Sequence, residues 1–101
     1  MKVLLINPPY RLSEANVYSK TGAVLPPLGL LHLSSFLRSR NPEVKIEILD
    51  APAYRLDLAT FSDKLSDYSP DVVGITIYTT TYLVALATAA CVKEYFPRSF
   101  V

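Results

Sequence analysis

Three short runs of apolar and β-branched residues alternate with three stretches of helical spacing, and this alternation predicts an α/β domain built on an open parallel sheet. The runs are Lys2 to Ile6, Val44 to Leu49, and a stretch that begins at Asp71-Val72-Val73-Gly74-Ile75 and ends in threonines at Thr79, Thr80 and Thr81. Each connection is long enough for a right-handed crossover and none resembles a tight hairpin, so the strands are expected to run in the same direction.

The first run, Lys-Val-Leu-Leu-Ile, is continuously apolar after its lysine, as expected of a strand covered on both faces. Asn7-Pro8-Pro9 ends it, because neither proline can donate to a ladder and Pro8 biases Asn7 away from helix. Tyr10 to Leu25 shows no period and reads as a long loop. A helix opens at Pro26-Pro27-Leu28-Gly29 and runs to Arg38 or Arg40, with prolines suited to its first turn and basic residues suited to its last. Leu30, Leu33 and Leu37 are expected on its buried face, with Phe36 bordering it.

Val44 to Leu49 alternates apolar with charged residues, the pattern of a half-exposed edge strand, and Asp50-Ala51-Pro52 closes it. A second helix from about Leu56 to Tyr68 carries Leu58, Phe61, Leu65 and Tyr68 as one stripe and turns Asp63, Lys64 and Asp67 to water. Ser69-Pro70-Asp71 leads into the third strand. The last helix, about Thr81 to Tyr95, holds Ala85, Ala87, Ala89 and Ala90, small enough to approach a sheet closely. Ser99-Phe100-Val101 reads as the start of a fourth strand, so residues 1–101 are expected to form the front portion of a longer open-sheet domain, incomplete at its carboxyl end. The third strand would then expose an edge to a second copy of the chain, favouring a homodimer.

Composition narrows the function. With 50% hydrophobic residues, 19% charged residues and a formal net charge of +1, the chain has no basic footprint for nucleic acid. The uncharged span between Asp71 and Lys93 is long enough to cross a bilayer, yet its β-branched first half, internal Gly74 and five threonines fit strand, turn and helix better than a membrane span. A lone Cys91 forms no intrachain disulfide, and with no leader pattern before the first strand a cytoplasmic location is expected.

In such a sheet, ligands bind beyond the carboxyl ends of the strands, where the strand order reverses. The segments brought there are Asn7-Pro8-Pro9, Asp50-Ala51-Pro52 and Thr76 to Thr81; with strand order 2-1-3 the crevice lies beside Asn7 and Thr76. Capping of the last helix explains one threonine well and three poorly. No GxGxxG follows the first strand and no P-loop exists, which argues against dinucleotide and nucleoside triphosphate binding. One His and one Cys do not make a zinc or iron-sulfur site. His32 falls roughly 200° around the helix from Leu30 and reads as a solvated surface residue, Cys91 reads as a small core residue, and Asp50 is either a turn former or a ligand contact.

Four segments in register carry a resemblance: Lys2-Val-Leu-Leu-Ile-Asn-Pro-Pro, Pro26-Pro-Leu-Gly-Leu-Leu-His-Leu, Val44 through Asp50-Ala51, and Pro70-Asp-Val-Val-Gly-Ile-Thr76. Together they resemble the amino-terminal cobalamin-binding domain of radical S-adenosylmethionine enzymes, a group that includes the anaerobic magnesium-protoporphyrin monomethyl ester oxidative cyclase and many methyltransferases. The resemblance implies a flavodoxin-like (Rossmann-like) fold holding cobalamin over the strand ends. Thr76 would be the principal contact, followed by Thr79 and Thr80, with Asn7, Pro8 and Pro9 beneath the corrin ring, Leu28 and Gly29 bordering it, and Asp50 at the same end. The Asp-x-His-x-x-Gly signature is absent, so no histidine ligand to cobalt is expected from this domain. The Cys-x-x-x-Cys-x-x-Cys motif is absent as well, which implies that S-adenosylmethionine and a 4Fe-4S cluster belong to a downstream radical domain and that these residues carry no catalytic group. The alternative is a docking or oligomerisation domain of the same fold that binds no cofactor.

Overall fold

A computed structural model of the chain describes residues 1–9 and 25–101. Strand β1 (Lys2–Asn7) is central in a parallel sheet, flanked by β2 (Lys45–Asp50) on one side and β3 (Val72–Ile75) on the other, giving the order β2-β1-β3. Helices α1 (Leu28–Arg40), α2 (Leu58–Lys64) and α3 (Tyr82–Tyr95) follow the strands in turn. The predicted fold class and strand order are those observed, a flavodoxin-like arrangement in which order reverses between β1 and β3.

The alternation of side chains along each strand divides the core into two layers. Leu4, Ile6, Leu49 and Val73 project to one face and pack with Phe61 and Leu65 from the α2 segment and Val92 from α3. Leu5 and Ile46 project to the other and meet Leu30 of α1, with Val3, Ile48 and Leu37 around them. Gly74 belongs to this second face: a Cβ there would lie 3.0 Å from Leu5 Cδ2, so the glycine makes room for the central strand's leucine.

Several elements differ from their sequence-based bounds for identifiable reasons. Helix α1 begins at Leu28, with Pro27 as its amino-terminal cap and Leu31 N–H donating to Pro27 O at 3.0 Å. Its inward line is Leu30 and Ser34, both buried, and the half-buried Leu37; Leu33, expected on that face, is 53% exposed, because the i, i+4, i+7 row faces the sheet and Leu33 sits beside it. The second helix starts at Leu58, where Asp57 forms a capping box with Thr60, and tightens at Leu65 into a single 3₁₀ turn, Leu65–Asp67. Phe61 and Leu65 are fully buried, while Leu58 and Tyr68 pack at the margin of the same cluster. Of the alanines in α3, Ala85 is buried, alongside Val84, Thr88 and Val92. His32 is exposed and Cys91 half-buried against the core.

The two sheet edges are treated differently. On β2, the outward-facing Ile46 carbonyl accepts a hydrogen bond from Arg38 Nη2 at 2.9 Å. On β3, Phe100 pairs with Val72 in parallel: Val73 N–H donates to Phe100 O at 2.7 Å and Phe100 N–H to Asp71 O at 3.0 Å. Ser99 is held beneath this pairing, its hydroxyl donating to Pro70 O at 2.6 Å and its carbonyl accepting from Lys93 Nζ at 2.7 Å. The expected fourth-strand start is thus engaged on β3, and the edge expected to be open is occupied along its first half. The long loop read at Tyr10 to Leu25 lies outside the described residues, apart from Leu25. Among the described residues no helix is long and apolar enough to cross a membrane.

Candidate functional site

Parallel strands present all their carboxyl ends at one edge of the sheet, and the helices that follow them begin at that same edge. The register sets Asn7 opposite Asp50 and Ile6 opposite Ile75, so Thr76 stands one step beyond, beside Asn7, with its N–H donating to Ile6 O at 3.0 Å. Strand parity then decides the face. Leu5, Ile46 and Gly74 point toward α1, and so do the residues two or four places further along: Asn7, Asp50 and Thr76. Three polar side chains on three adjacent strands therefore form a row across the α1 side of the carboxyl edge.

Asn7 is 6% exposed, an unusual position for a carboxamide unless it is paired. Its Nδ2 donates to Asp50 Oδ1 at 2.9 Å, and its backbone carbonyl accepts from Ala51 N–H at 3.1 Å, so β1 and β2 are tied at their ends by both side chain and main chain. Pro8 and Pro9 are fully buried behind it and form floor rather than open surface. Asp50 is half-buried; among the described residues its Oδ1 takes the Asn7 bond and its second oxygen takes none.

Beyond Thr76 the chain turns outward. Thr79–Thr81 forms a 3₁₀ turn that leads into α3, and the hydroxyl of Thr81 is consumed locally, accepting from Tyr78 N–H at 3.0 Å and donating to Tyr78 O at 3.3 Å. Thr79 and Thr80 are exposed. One threonine of this cluster thus serves the turn, and two present free hydroxyls at the strand-end edge among the described residues. Leu28 and Gly29, in the first turn of α1, are exposed as well, and a Cβ on Gly29 would meet nothing within 4 Å.

A feature that spacing alone did not reveal is the apolar rim. Leu25, Leu28, Ile77, Tyr78, Tyr82 and Leu83 are all at least half exposed, and all belong to the segments entering α1 or leaving β3. For Ile77, Tyr78, Tyr82 and Leu83 the signal in the sequence is the lack of charge between Asp71 and Lys93, which reads equally as burial. Exposed apolar side chains at the same end of the sheet as a few hydroxyl, carboxamide and carboxylate groups suit an apolar ligand with polar substituents. Among the described residues no group of three His, Cys, Asp or Glu could hold a metal ion. The arrangement offers hydrogen bonds and apolar contact.

Comparison with known proteins bears on what that ligand is. Residues 16–101 match the family described as B12 binding domain. The whole chain also aligns with an uncharacterized methyltransferase of Pyrococcus horikoshii, 34% identical over 101 residues, and spans 21% of that protein's length. No solved structure matches significantly.

Proposed function

Because this chain belongs to the B12-binding domain family, we propose that it holds cobalamin over the carboxyl ends of β1 and β3 as the cofactor-binding module of a larger enzyme. The observation that carries the reading is the exposed apolar rim set around the Asp50, Asn7 and Thr76 row, which fits a corrin: a broad apolar face fringed with carboxamides that donate and accept hydrogen bonds. In this reading Thr76, Thr79 and Thr80 supply hydroxyls, Leu28 and Gly29 border the ring, Asn7, Pro8 and Pro9 form its floor, and Asp50 faces its fringe. His32, exposed midway along α1, is not offered to cobalt.

The parent enzyme is proposed to be a radical S-adenosylmethionine methyltransferase or oxidative cyclase, with S-adenosylmethionine and a 4Fe-4S cluster in a downstream domain. The methyltransferase name of the Pyrococcus horikoshii relative, and the fraction of it that this chain spans, support the larger size and the methyltransferase part of this reading. Cobalamin, when bound, supplies a cobalt centre able to carry a methyl group or an electron; the described residues bind and orient it and leave the chemistry to other domains.

A cofactor-free docking module of the same fold is the second reading. Leu31, Leu33 and Phe36, exposed along α1 beyond its first turn, favour it, because a ligand at the strand ends does not account for them. Titration with hydroxocobalamin, followed through its visible spectrum, separates the two. A saturable spectral change at one equivalent supports the cobalamin reading, and no change in the parent protein overturns it.

A further inference from the structure

We propose that Asn7 is a positioning residue whose hydrogen bond aims the Asp50 carboxylate at a primary carboxamide on the corrin periphery. This rests on the cobalamin reading and adds to it a direction of action between two residues. Asn7 is too buried to be the main polar contact itself, at 6% exposure, and its Nδ2 is committed to Asp50 Oδ1 at 2.9 Å. Asp50 is the more accessible of the pair. One carboxylate oxygen is held by this bond and the second takes no hydrogen bond among the described residues, while strand parity places Asp50 on the α1 side of the sheet in the same row as Thr76.

A carboxylate is an acceptor only, so its complement is a donor. The ligand's periphery carries N–H donors in its primary carboxamides, and a bond from one of these to a charged acceptor is stronger than one between neutral groups. The Asn7 bond also ties β2 to β1 at their ends, which by itself predicts a purely structural clamp. The two roles differ in what Asp50→Asn does, because it keeps an oxygen to accept from Asn7 and puts an N–H donor where the second acceptor stood.

The experiment is a double-mutant cycle on hydroxocobalamin affinity, with thermal unfolding measured in parallel. Asp50→Ala is expected to weaken binding roughly tenfold. Asn7→Ala is expected to cause a similar loss, and the pair together no further loss, because Asn7 acts only through Asp50. Asn7→Leu, which keeps the branched side-chain shape without the donor, carries the same test if the alanine variant unfolds. Asp50→Asn is expected to weaken binding as Asp50→Ala does while the unfolding temperature holds. Unchanged affinity in Asp50→Asn, strictly additive losses in the cycle, or a lowered unfolding temperature with unchanged affinity overturn the inference and leave the cobalamin reading standing. Repeating the cycle with dicyanocobinamide, which lacks the nucleotide tail, locates the donor: a retained Asp50 effect supports the corrin carboxamides, and a vanished one overturns them in favour of the tail. If the unaltered protein binds neither corrinoid, the proposed function and this inference both fall.

Discussion

Gly74 shows how a single missing methyl group sets the spacing of the sheet. Its would-be Cβ lies 3.0 Å from Leu5 Cδ2, closer than ordinary contact, and Leu5 is itself packed at 6% exposure. Gly74→Ala is therefore expected to cost about 1–2 kcal/mol through a forced shift of Leu5, measurable as a lower midpoint in urea with an unchanged slope. Gly29 is the opposite case. Nothing lies within 4 Å of its would-be Cβ, so Gly29→Ala is expected to stabilise α1 by up to about 1 kcal/mol while weakening hydroxocobalamin binding, if the corrin borders it as proposed. A thermal melt and a spectral titration on one sample check both halves. The sequence shows both residues as glycines between apolar neighbours and gives no hint of this contrast, which depends on what lies across from each in the fold.

Tyr68 supplies a prediction in pH. Burial raises its phenol above the ordinary tyrosine value of 10.0, and Lys64 offsets this only partly. The neutral phenol is thus favoured in the folded chain: its contribution to stability is full below pH 10.0 and is lost as pH rises through the raised value. Lys64 is shifted in the same direction by its hydrogen bond and charge contact with Asp67, 2.9 Å away. Unfolding temperature is expected to fall with pH above about 10, and Tyr68→Phe is expected to flatten that fall; an equal slope in the variant would count against it.

At the scale of elements, the ends of the helices carry more information than their middles. Asp57 accepts from Thr60 N–H at 2.8 Å while Thr60 Oγ1 accepts from Asp57 N–H at 2.9 Å, so two otherwise orphaned donors are satisfied at once. Asp57→Ala is expected to cost about 1 kcal/mol, read from denaturant unfolding, with the sheet unaffected by amide exchange. The position of this cap explains why a helix read from apolar spacing at Leu56 begins at Leu58. Spacing found the stripe of Leu58, Phe61 and Leu65 because a buried helix face leaves a clear period. It misplaced Leu33 on α1, where one turn offers Leu30, Leu31 and Leu33 and only tertiary contact selects Leu30, with Leu37 beyond it, for the sheet. In the threonine cluster, one hydroxyl was expected to cap the last helix; Thr81 stands at that position but makes no side-chain cap bond to α3, and its hydroxyl bonds Tyr78 instead.

Across the whole molecule, strand order was legible because parallel crossovers admit few arrangements and the half-charged second strand had to lie outside. The carboxyl-edge site followed from that order. Two things were not legible: that Asn7 is bonded to Asp50, since a partner 43 residues away leaves no local trace, and that the apolar rim is exposed, since hydropathy does not distinguish a surface awaiting a ligand from a core.

The Arg38 bond to the Ile46 carbonyl gives the sheet a direction of growth. On the β2 side a guanidinium occupies an acceptor that an incoming strand would need, and Lys45 with Glu47 adds charge beside it. On the β3 side Phe100 already lies in parallel register and shows that edge receiving a strand. Among the described residues the two edges therefore differ in how readily they take a strand: Arg38 guards β2, and β3 accepts the isolated Phe100 bridge. Arg38→Ala is expected to blur that polarity, and light scattering at high concentration should then detect larger species that the unaltered chain forms less readily.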